Sequence, residues 1–280
     1  MSRPRDLVAA AVRRLSEAGV ESPDHDARTL LAHVLGVDRS RLPLVETVSD
    51  AQAAELDELV SRRAAREPLQ HLTGVAHFRH VELQVGPGVF VPRPETELLA
   101  GWAVERARDL DAPVVVDLGT GSGAMAKAIA YEVPGAQVHA VELDEGAHGW
   151  AVRNLAGTGI DLRQGDLGQA FDDLAGTVDI VVSNPPYIPH EAWESVAVEV
   201  RDHDPELALY ATGDGLDTIR VVERRAALLL RPGGWVGVEH ADVQGTSAPA
   251  VFTHAGCWEQ VRDHPDLAGR ARFLTARLAR

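Results

Sequence analysis

The sequence has few of the residues that build disulfide frameworks or thiolate metal sites. Cys257 is the only cysteine among the 280 residues, so a disulfide within the chain and a multi-cysteine zinc site are both excluded. His71, His77 and His80 lie near one another in the sequence, but they lack carboxylate or thiolate partners at ligand spacing. We therefore predict no bound metal, and we expect Cys257 to be a core residue.

A long hydrophobic run is also missing. No stretch approaches the roughly 20 apolar residues of a transmembrane helix, and the amino terminus has no apolar segment of signal-peptide length. The composition, 45% hydrophobic and 25% charged, is ordinary for a globular protein. We expect a cytoplasmic, monomeric protein with no membrane partner, long enough for one large domain and one small domain.

Positive charge is scarce in most of the chain. The net charge is −15, of which residues 1–72, with ten arginines and twelve acidic residues, contribute −2 and the remainder −13. Proteins that act on nucleic acid usually present a basic surface. The charge therefore favours a protein or a small molecule as substrate and argues against direct nucleic-acid binding.

The first 72 residues have a helical pattern. Apolar residues recur at helical spacing between Leu7 and Leu15, between Ala27 and Leu35, and between Leu56 and Val60. Ser22 and Ser49 stand at positions typical of helix N-caps. The pattern predicts a small all-helical domain at 1–72, which contains no catalytic constellation and is typical of a docking or packing unit.

A connector follows this helical region. Alternating apolar residues from Val81 to Val85, a Gly-Pro-Gly segment at 86–88, and Val89 and Val91 predict a β-hairpin within residues 73–92. The next segment, Pro92-Arg93-Pro94, is interpreted either as a plain helix start or as a rigid corner that forms one wall of a pocket.

A strand that ends in a double-proline turn is the most informative stretch. The run from Val178 to Val182 is β-branched except at Asp179 and is typical of a strand buried on both faces of a parallel sheet. It stops at Asn184, Pro185, Pro186 and Tyr187, where an amide oxygen, exposed carbonyls and an aromatic face can hold a planar NH2 group. Such a nitrogen is a weak nucleophile and requires an activated electrophile nearby. The alternative is a strand and a turn without chemistry.

A glycine-rich segment follows another predicted buried strand. Val114 to Val116 lead into Asp117-Leu118-Gly119-Thr120-Gly121-Ser122-Gly123-Ala124. The glycines allow close approach of a ligand to the backbone and expose N–H groups at a helix start. The spacing differs from the dinucleotide fingerprint, and the lysine of a phosphate-binding loop is missing.

Two acidic residues follow the next two predicted strands. Glu142 ends the strand predicted at 138–141, where a carboxylate can accept both hydroxyls of a ribose, and Asp166 follows the strand predicted near 160–162, where it can accept from an adenine amine. A glycine loop followed by these two acids describes an adenosine pocket without a phosphate clamp. An adenosine ligand with an activated electrophile points to S-adenosyl-L-methionine.

With these motifs the chain resembles the release factor glutamine methyltransferases, and the resemblance covers nearly the whole sequence. It is carried by D-A-R-T-L-L-A-H-V-L-G at 26–36, P-L-Q-H-L-T-G at 68–74, V-P-R-P-E-T-E at 91–97, D-L-G-T-G-S-G-A at 117–124 and S-N-P-P-Y-I at 183–188. It implies an α/β, Rossmann-like class I methyltransferase domain at 93–280, with a mostly parallel seven-stranded sheet and an antiparallel last strand. The implied reaction methylates the side-chain amide nitrogen (N5) of the glutamine in the Gly-Gly-Gln motif of peptide-chain release factors and leaves S-adenosyl-L-homocysteine.

The resemblance also implies roles for individual residues. Together with Asp166 from the pattern above, the cofactor-binding set is Gly119, Thr120, Gly121, Ser122, Gly123, Glu142, Leu167 and Asn184. The glutamine would be bound by Asn184, Pro185, Pro186 and Tyr187, with Arg93 at the pocket wall, and Asn184, Pro185 and Tyr187 would be the catalytic residues. Glu142 stands where the family commonly has Asp, and Leu167 occupies a position that is often aromatic.

Two alternatives remain at this point. An amino-methyltransferase acting on adenine in DNA or RNA would need the same planar grip on a flipped base, but the negative charge counts against it. A protein that binds the cofactor and serves only as a scaffold would not need Asn184 and Tyr187.

Overall fold

The computed structural model describes residues 1–189, 193 and 198–279. Its helices and strands follow in chain order: α1 (Pro4–Glu17), α2 (Pro23–Leu35), α3 (Asp50–Ala64), α4 (Leu69–Thr73), β1 (Val75–Phe78), β2 (Val81–Gln84), α5 (Thr96–Arg108), β3 (Val114–Leu118), α6 (Ala124–Glu132), β4 (Gln137–Glu142), α7 (Glu145–Leu155), β5 (Asp161–Gln164), β6 (Val178–Ser183), β7 (Ile188–Pro189), α8 (Val198–His203), α9 (Glu206–Leu209), β8 (Tyr210–Ala211), α10 (Asp217–Leu229), β9 (Leu230–Glu239), α11 (Ser247–Ala255), β10 (Trp258–Pro265) and β11 (Ala271–Leu278). Short 3-10 helices occur at Arg39–Leu44, Asp172–Leu174 and Asp242–Gln244.

These elements form two compact units. The first consists of Met1–Val75 together with α8, and the second contains the other described residues. None of the described helices combines the length and the apolar character that a membrane span requires.

Local sequence signals explain where the helices of the first unit begin and end. Prolines open α1 and α2 at positions where a backbone N–H would lack a helical partner. Ser49 caps α3, because its Oγ accepts from the Gln52 N–H at 3.3 Å while Gln52 Oε1 accepts from the Ser49 N–H at 3.1 Å. Gly36 ends α2 with a φ of 63°.

The helices of the first unit bury one apolar cluster and one ion-pair network. The cluster includes Val8, Ala11, Leu15, Val20, Ala27, Leu30, Leu31, Leu56, Leu59 and Val60. Arg63 of α3 donates to Asp26 of α2 at 2.7 Å, and both side chains are almost completely buried. Glu199 of α8 accepts from Arg63 at 3.3 Å and from Arg66 at 2.8 Å. The network therefore joins three helices of this unit.

The second unit is built on a seven-stranded sheet with the order β10-β11-β9-β6-β3-β4-β5. The strands from β9 to β5 are parallel, and β11 pairs antiparallel with both β9 and β10. Alternate strand residues face two different clusters: Val115 packs with the residues of α5, α6 and α7, and Val116 packs with those of α10 and α11. The predicted Rossmann-like fold is therefore confirmed, including the β-branched strands buried on both faces.

The hairpin of the connector lies earlier than the alternation predicts. The two-stranded sheet is formed by β1 and β2, with Arg79 at a positive φ of 50° between them. Val89 and Val91 are fully buried but belong to no strand. Their apolar side chains thus pack into the core from a loop, so the prediction that they form the second strand was wrong.

Four parallel strands bring their carboxyl ends to one edge of the sheet. Asp117 of β3 pairs with Val182 of β6, and Ser183 of β6 pairs with Val238 of β9. The last residues of the four strands are Leu118, Glu142, Ser183 and Glu239. This is the edge at which open α/β sheets bind ligands.

Candidate active site

The glycine loop, residues 119–123, leaves β3 and leads into α6. The N–H groups of Gly119 and Thr120 both donate to the Val141 carbonyl, at 3.0 and 2.9 Å. Gly123 has a φ of 86°, and a Cβ there would lie 3.0 Å from the Leu155 side chain. A larger residue is therefore disfavoured at Gly123 by both conformation and space. The loop is fixed against β4 by the backbone itself.

Asp117 lies beneath this loop and was not among the predicted site residues. Its Oδ2 accepts from the Thr120 hydroxyl at 2.6 Å and from the Ala126 N–H at 3.2 Å. Its Oδ1 is buried and has no hydrogen-bond partner in the part of the chain that the structure describes. Loss of solvent on burial raises the pKa of this carboxyl to about 7. The sequence contains a signal for this residue, because Asp117 is the first residue of the glycine motif.

Glu142 at the end of β4 is bound to the same loop. Its Oε2 accepts from the Gly121 N–H at 2.8 Å, and its Oε1 accepts from the Asp144 N–H at 2.9 Å. Burial raises its pKa. Each carboxylate oxygen has a second acceptor site, so these bonds leave Glu142 able to accept from a ribose diol. The position and the chemistry fit the predicted cofactor role.

Asp166 and Leu167 follow β5 at the same edge. Asp166 is exposed and accepts from the Gly168 N–H at 2.8 Å. Leu167 packs against the core, and its Cδ2 lies 3.7 Å from the position that a Cβ on Gly119 would occupy. Leu167 thus borders the glycine loop, where an apolar side chain can cover one face of an adenine. Asp166 can supply a hydrogen-bond acceptor beside it.

The double-proline turn follows β6 next to the glycine loop. The Ser183 hydroxyl donates to the Leu118 carbonyl at 2.6 Å and so ties the end of β6 to the end of β3. Asn184 donates through its Nδ2 to the Thr96 hydroxyl at 3.3 Å. With the amide NH2 committed to Thr96, Asn184 offers its Oδ1 as an acceptor.

Tyr187 is held at several points. Its hydroxyl donates to Glu239 Oε1 at 3.3 Å, and its carbonyl accepts from Gln244 Nε2 at 3.1 Å. Burial and the neighbouring carboxyl raise the pKa of this phenol. Gly215 packs so closely that a Cβ there would lie 2.7 Å from the Tyr187 carbonyl oxygen. The ring is also packed against the core cluster that includes Val181.

Pro185 and Pro186 lie between these two anchored residues. Pro185 is buried and Pro186 is partly buried. Beyond Tyr187 the chain continues into β7, which pairs with β8. The turn therefore has a fixed position at the edge of the sheet.

Arg93 forms an ion pair with Asp204, with 2.7 Å between Nη2 and Oδ2. Its guanidinium also lies 5.0 Å from the centre of the Phe90 ring. These contacts connect the Arg-Pro corner with Asp204, which lies two residues before α9. The sequence interpretation missed two site residues: Thr96, which contacts Asn184, and Glu239, which contacts Tyr187.

Among the described residues, no group of three His, Cys, Asp or Glu side chains is arranged to hold a metal ion.

Two protein-family models match the chain. The family described as PrmC N-terminal domain matches residues 6–74, and the family described as Methyltransferase domain matches residues 115–203. The two matches correspond to the helical region and to the part of the sheet that holds the glycine loop and the double-proline turn.

Two solved structures share the fold. The hMettl16 catalytic domain in complex with MAT2A 3'UTR hairpin 6 has a TM-score of 0.56 and 13% identity, and the alignment covers 84% of each chain. The Thermus thermophilus 16S rRNA N2 G1207 methyltransferase in complex with AdoMet and guanosine has a TM-score of 0.53 and 23% identity, over 74% of this chain and 50% of that one. At these identities the likeness concerns the fold alone.

Curated relatives match over their full length. The release factor glutamine methyltransferase of Streptomyces coelicolor is 59% identical over 97% of this chain and 97% of that protein. The one of Mycolicibacterium smegmatis is 47% identical over 100% of both. These matches confirm a methyltransferase that uses S-adenosyl-L-methionine. The chain belongs to the family of release factor glutamine methyltransferases.

Proposed function

We propose that this protein methylates the side-chain amide nitrogen (N5) of the glutamine in the Gly-Gly-Gln motif of peptide-chain release factors. The observation that carries the proposal is the orientation of Asn184, whose NH2 group is committed to Thr96 beside the glycine loop. An acceptor oxygen fixed in this way suits the N–H bonds of a carboxamide. The printed names of the full-length relatives support the same substrate.

The cofactor-binding residues in this proposal are Gly119, Thr120, Gly121, Ser122, Gly123, Glu142, Asp166, Leu167 and Asn184. Glu142 would accept hydrogen bonds from the ribose hydroxyls through its remaining lone pairs, and Leu167 would cover the adenine. When bound, S-adenosyl-L-methionine would supply an electrophilic methyl group. Its carbon–sulfur bond would break as the glutamine nitrogen bonds to that carbon, the proton lost by the nitrogen would pass to solvent, and S-adenosyl-L-homocysteine would remain.

The chain's own contribution is to hold the glutamine amide. Asn184 Oδ1 and the Pro185 carbonyl accept its two N–H bonds, and Tyr187 and Pro186 form the wall of the pocket. Correct placement of two reactants contributes on the order of 7 to 11 kcal/mol to catalysis. Arg93 completes the substrate-binding set by holding the Arg-Pro corner, with Asp204 as its partner.

The remaining proposals concern organisation and context. We assign residues 1–72 to a helical domain, 73–92 to the connector and 93–280 to the methyltransferase domain. Release factors are the protein partner, and no nucleic acid is bound directly, in keeping with the charge of −15. The protein acts as a monomer in the cytoplasm, where its substrate works.

A methyl-transfer assay tests the proposed function. Purified protein is incubated with radiolabelled S-adenosyl-L-methionine and a release factor, and the labelled residue is identified by mass spectrometry. We expect label on the glutamine of Gly-Gly-Gln and none on a matched release factor in which that glutamine is replaced by asparagine. Equal labelling of both, or labelling of RNA or DNA in place of the factor, would contradict the proposal.

A further inference from the structure

Glu239 is a buried carboxyl at the catalytic edge that no sequence motif marks. It is the last residue of β9, beside the end of β6, and is 2% exposed. Removing a carboxyl from water is costly unless it is well paired. Its Oε2 nevertheless has no hydrogen-bond partner among the described residues. A carboxyl kept here at such a cost suggests a role in the site.

Glu239 interacts with two side chains that anchor the double-proline turn, Tyr187 and Thr96. The Tyr187 hydroxyl donates to Oε1 at 3.3 Å. The Thr96 side chain also lies close enough to this carboxyl to lower its pKa. Thr96 in turn accepts from Asn184 Nδ2 at 3.3 Å. Thr96 therefore lies between Glu239 and the Asn184 carboxamide and interacts with both.

The direction in which the Thr96 hydroxyl donates decides which atom Asn184 presents to the substrate. A hydroxyl group has one proton, so a Thr96 that donates to Glu239 presents only lone pairs to Asn184. Asn184 must then present its NH2 group to Thr96, which leaves its Oδ1 for the substrate. If Thr96 donated to Asn184 instead, the carboxamide would favour the flipped orientation, in which Oδ1 faces Thr96 and the NH2 group faces the substrate.

We propose that Glu239 is a positioning residue for methyl transfer, which fixes the Asn184 carboxamide through Thr96 and the Tyr187 ring through its hydroxyl. The proposal rests on the proposed function, because it assigns Asn184 Oδ1 to the glutamine N–H. Ionised Glu239 is an acceptor only and enforces the productive orientation. Protonated Glu239 can donate to Thr96 and release that constraint.

Protonation of Glu239 therefore connects the site to pH. Loss of solvent raises its pKa to about 7. The charged and titratable groups around it are Arg272 of β11, Tyr187 of the turn and Glu95 before α5. The next residue in the chain, His240, pairs with Asp263 at 2.9 Å. We expect kcat to rise between about pH 6 and about pH 8, as Glu239 ionises.

Matched variants separate positioning from a merely structural role. Thr96→Val removes the hydroxyl at nearly constant size, and Thr96→Ser keeps it. Glu239→Gln removes the ionisation. Glu223→Gln is the control, because Glu223 of α10 is also buried, at 7% exposure, and its hydrogen bonds among the described residues go to Trp258 Nε1, at 2.7 Å, and to Cys257, not to the turn.

The measurements are kcat and KM for a release factor across this pH range at saturating cofactor, and S-adenosyl-L-homocysteine binding by calorimetry. We expect Glu239→Gln and Thr96→Val to lower kcat by about 10- to 100-fold, with KM and cofactor affinity within about threefold of wild type. The rise of kcat with pH disappears in Glu239→Gln. Thr96→Ser restores most of the kcat that Thr96→Val loses, together with the rise, and Glu223→Gln keeps both the wild-type kcat and the rise.

The outcomes distinguish this proposal from the function on which it rests. A wild-type protein that transfers no methyl group to release factor would overturn both. An active wild type, with Glu239→Gln unchanged in kcat and pH profile, or with Thr96→Val equal to Thr96→Ser, would overturn the positioning role alone. If Glu239→Gln does not fold, the two Thr96 variants still decide, because they leave the carboxyl in place.

Discussion

The variant Asp117→Asn tests whether the buried carboxyl beneath the glycine loop has a raised pKa. The test compares how the stability of the two proteins changes with pH. Burial raises the pKa of Asp117 from 3.8 to about 7. Between these values the folded state binds more protons at this site than the unfolded state does. The contribution of Asp117 to the free energy of unfolding is therefore most favourable below about pH 4 and declines as pH rises to about 7. The side-chain amide of the variant does not titrate, and its oxygen can still accept from Thr120.

The magnitude follows from the same two pKa values. A shift of one pKa unit between the folded and unfolded states corresponds to about 1.4 kcal/mol of unfolding free energy. In the unfolded state the Asp117 carboxyl is already mostly ionised at pH 5. As the pH rises from 5 to 8, the free energy of unfolding should fall by about 3 kcal/mol more in the wild type than in the variant. Glu239, whose pKa is also raised to about 7, is present in both proteins, so its contribution cancels in the comparison.

The assay is urea unfolding of both proteins at these two pH values, followed by tryptophan fluorescence. All five tryptophans lie after residue 100 and outside α8, so the signal reports on the second unit. We expect Asp117→Asn to gain stability relative to wild type as pH rises. Parallel loss of stability in the two proteins would refute the assignment of a raised pKa to a buried, incompletely paired Asp117.

Three further predictions concern the catalytic turn, the helical unit and the glycine loop. Asn184→Ala should lower the rate of glutamine methylation by roughly 100- to 1000-fold and leave cofactor affinity within about tenfold, measured by turnover and calorimetry; near-normal turnover would argue against its role. Asp26→Ala leaves Arg63 buried without its 2.7 Å partner and should lower the free energy of unfolding by about 3 kcal/mol. This value is near the lower end for broken buried ion pairs because Glu199 still pairs with Arg63. Unfolding followed by circular dichroism measures this cost, and an unchanged midpoint would contradict the prediction. Gly123→Ala places a side chain at a φ of 86°, so it should lower the free energy of unfolding by about 1 to 3 kcal/mol and weaken S-adenosyl-L-homocysteine binding. The control Gly157→Ala, at a positive φ but with open space around it, should leave binding unchanged. Equal binding in the two variants would show that the loop tolerates a side chain.

The sheet could be predicted because its signals are local. The run from Val178 to Val182 is β-branched at every position except Asp179, and a strand buried on both faces needs apolar residues at nearly every position. The same local evidence was misleading at Val89 and Val91, whose alternation is equally compatible with a loop that packs into the core. Periodicity reports burial, and burial alone does not determine a strand.

The contacts within the site depend on residues that are far apart in the sequence. Thr96 and Asn184 are 88 positions apart, and Tyr187 and Glu239 are 52 apart. Each motif indicated a residue type suited to a ligand, but nothing in a single sequence shows which distant side chain orients it. Glu239 in particular has no motif around it, and its position at a strand end is meaningful only once the strand order is known.

The bonds of the glycine loop have a consequence for ligand binding. Two of its N–H groups are already bonded to Val141 and a third to Glu142. The conformational entropy of this segment is therefore lost when the chain folds, not when a nucleoside arrives. A ligand entering here meets a preorganised cradle, so its affinity is not reduced by a cost of ordering the loop.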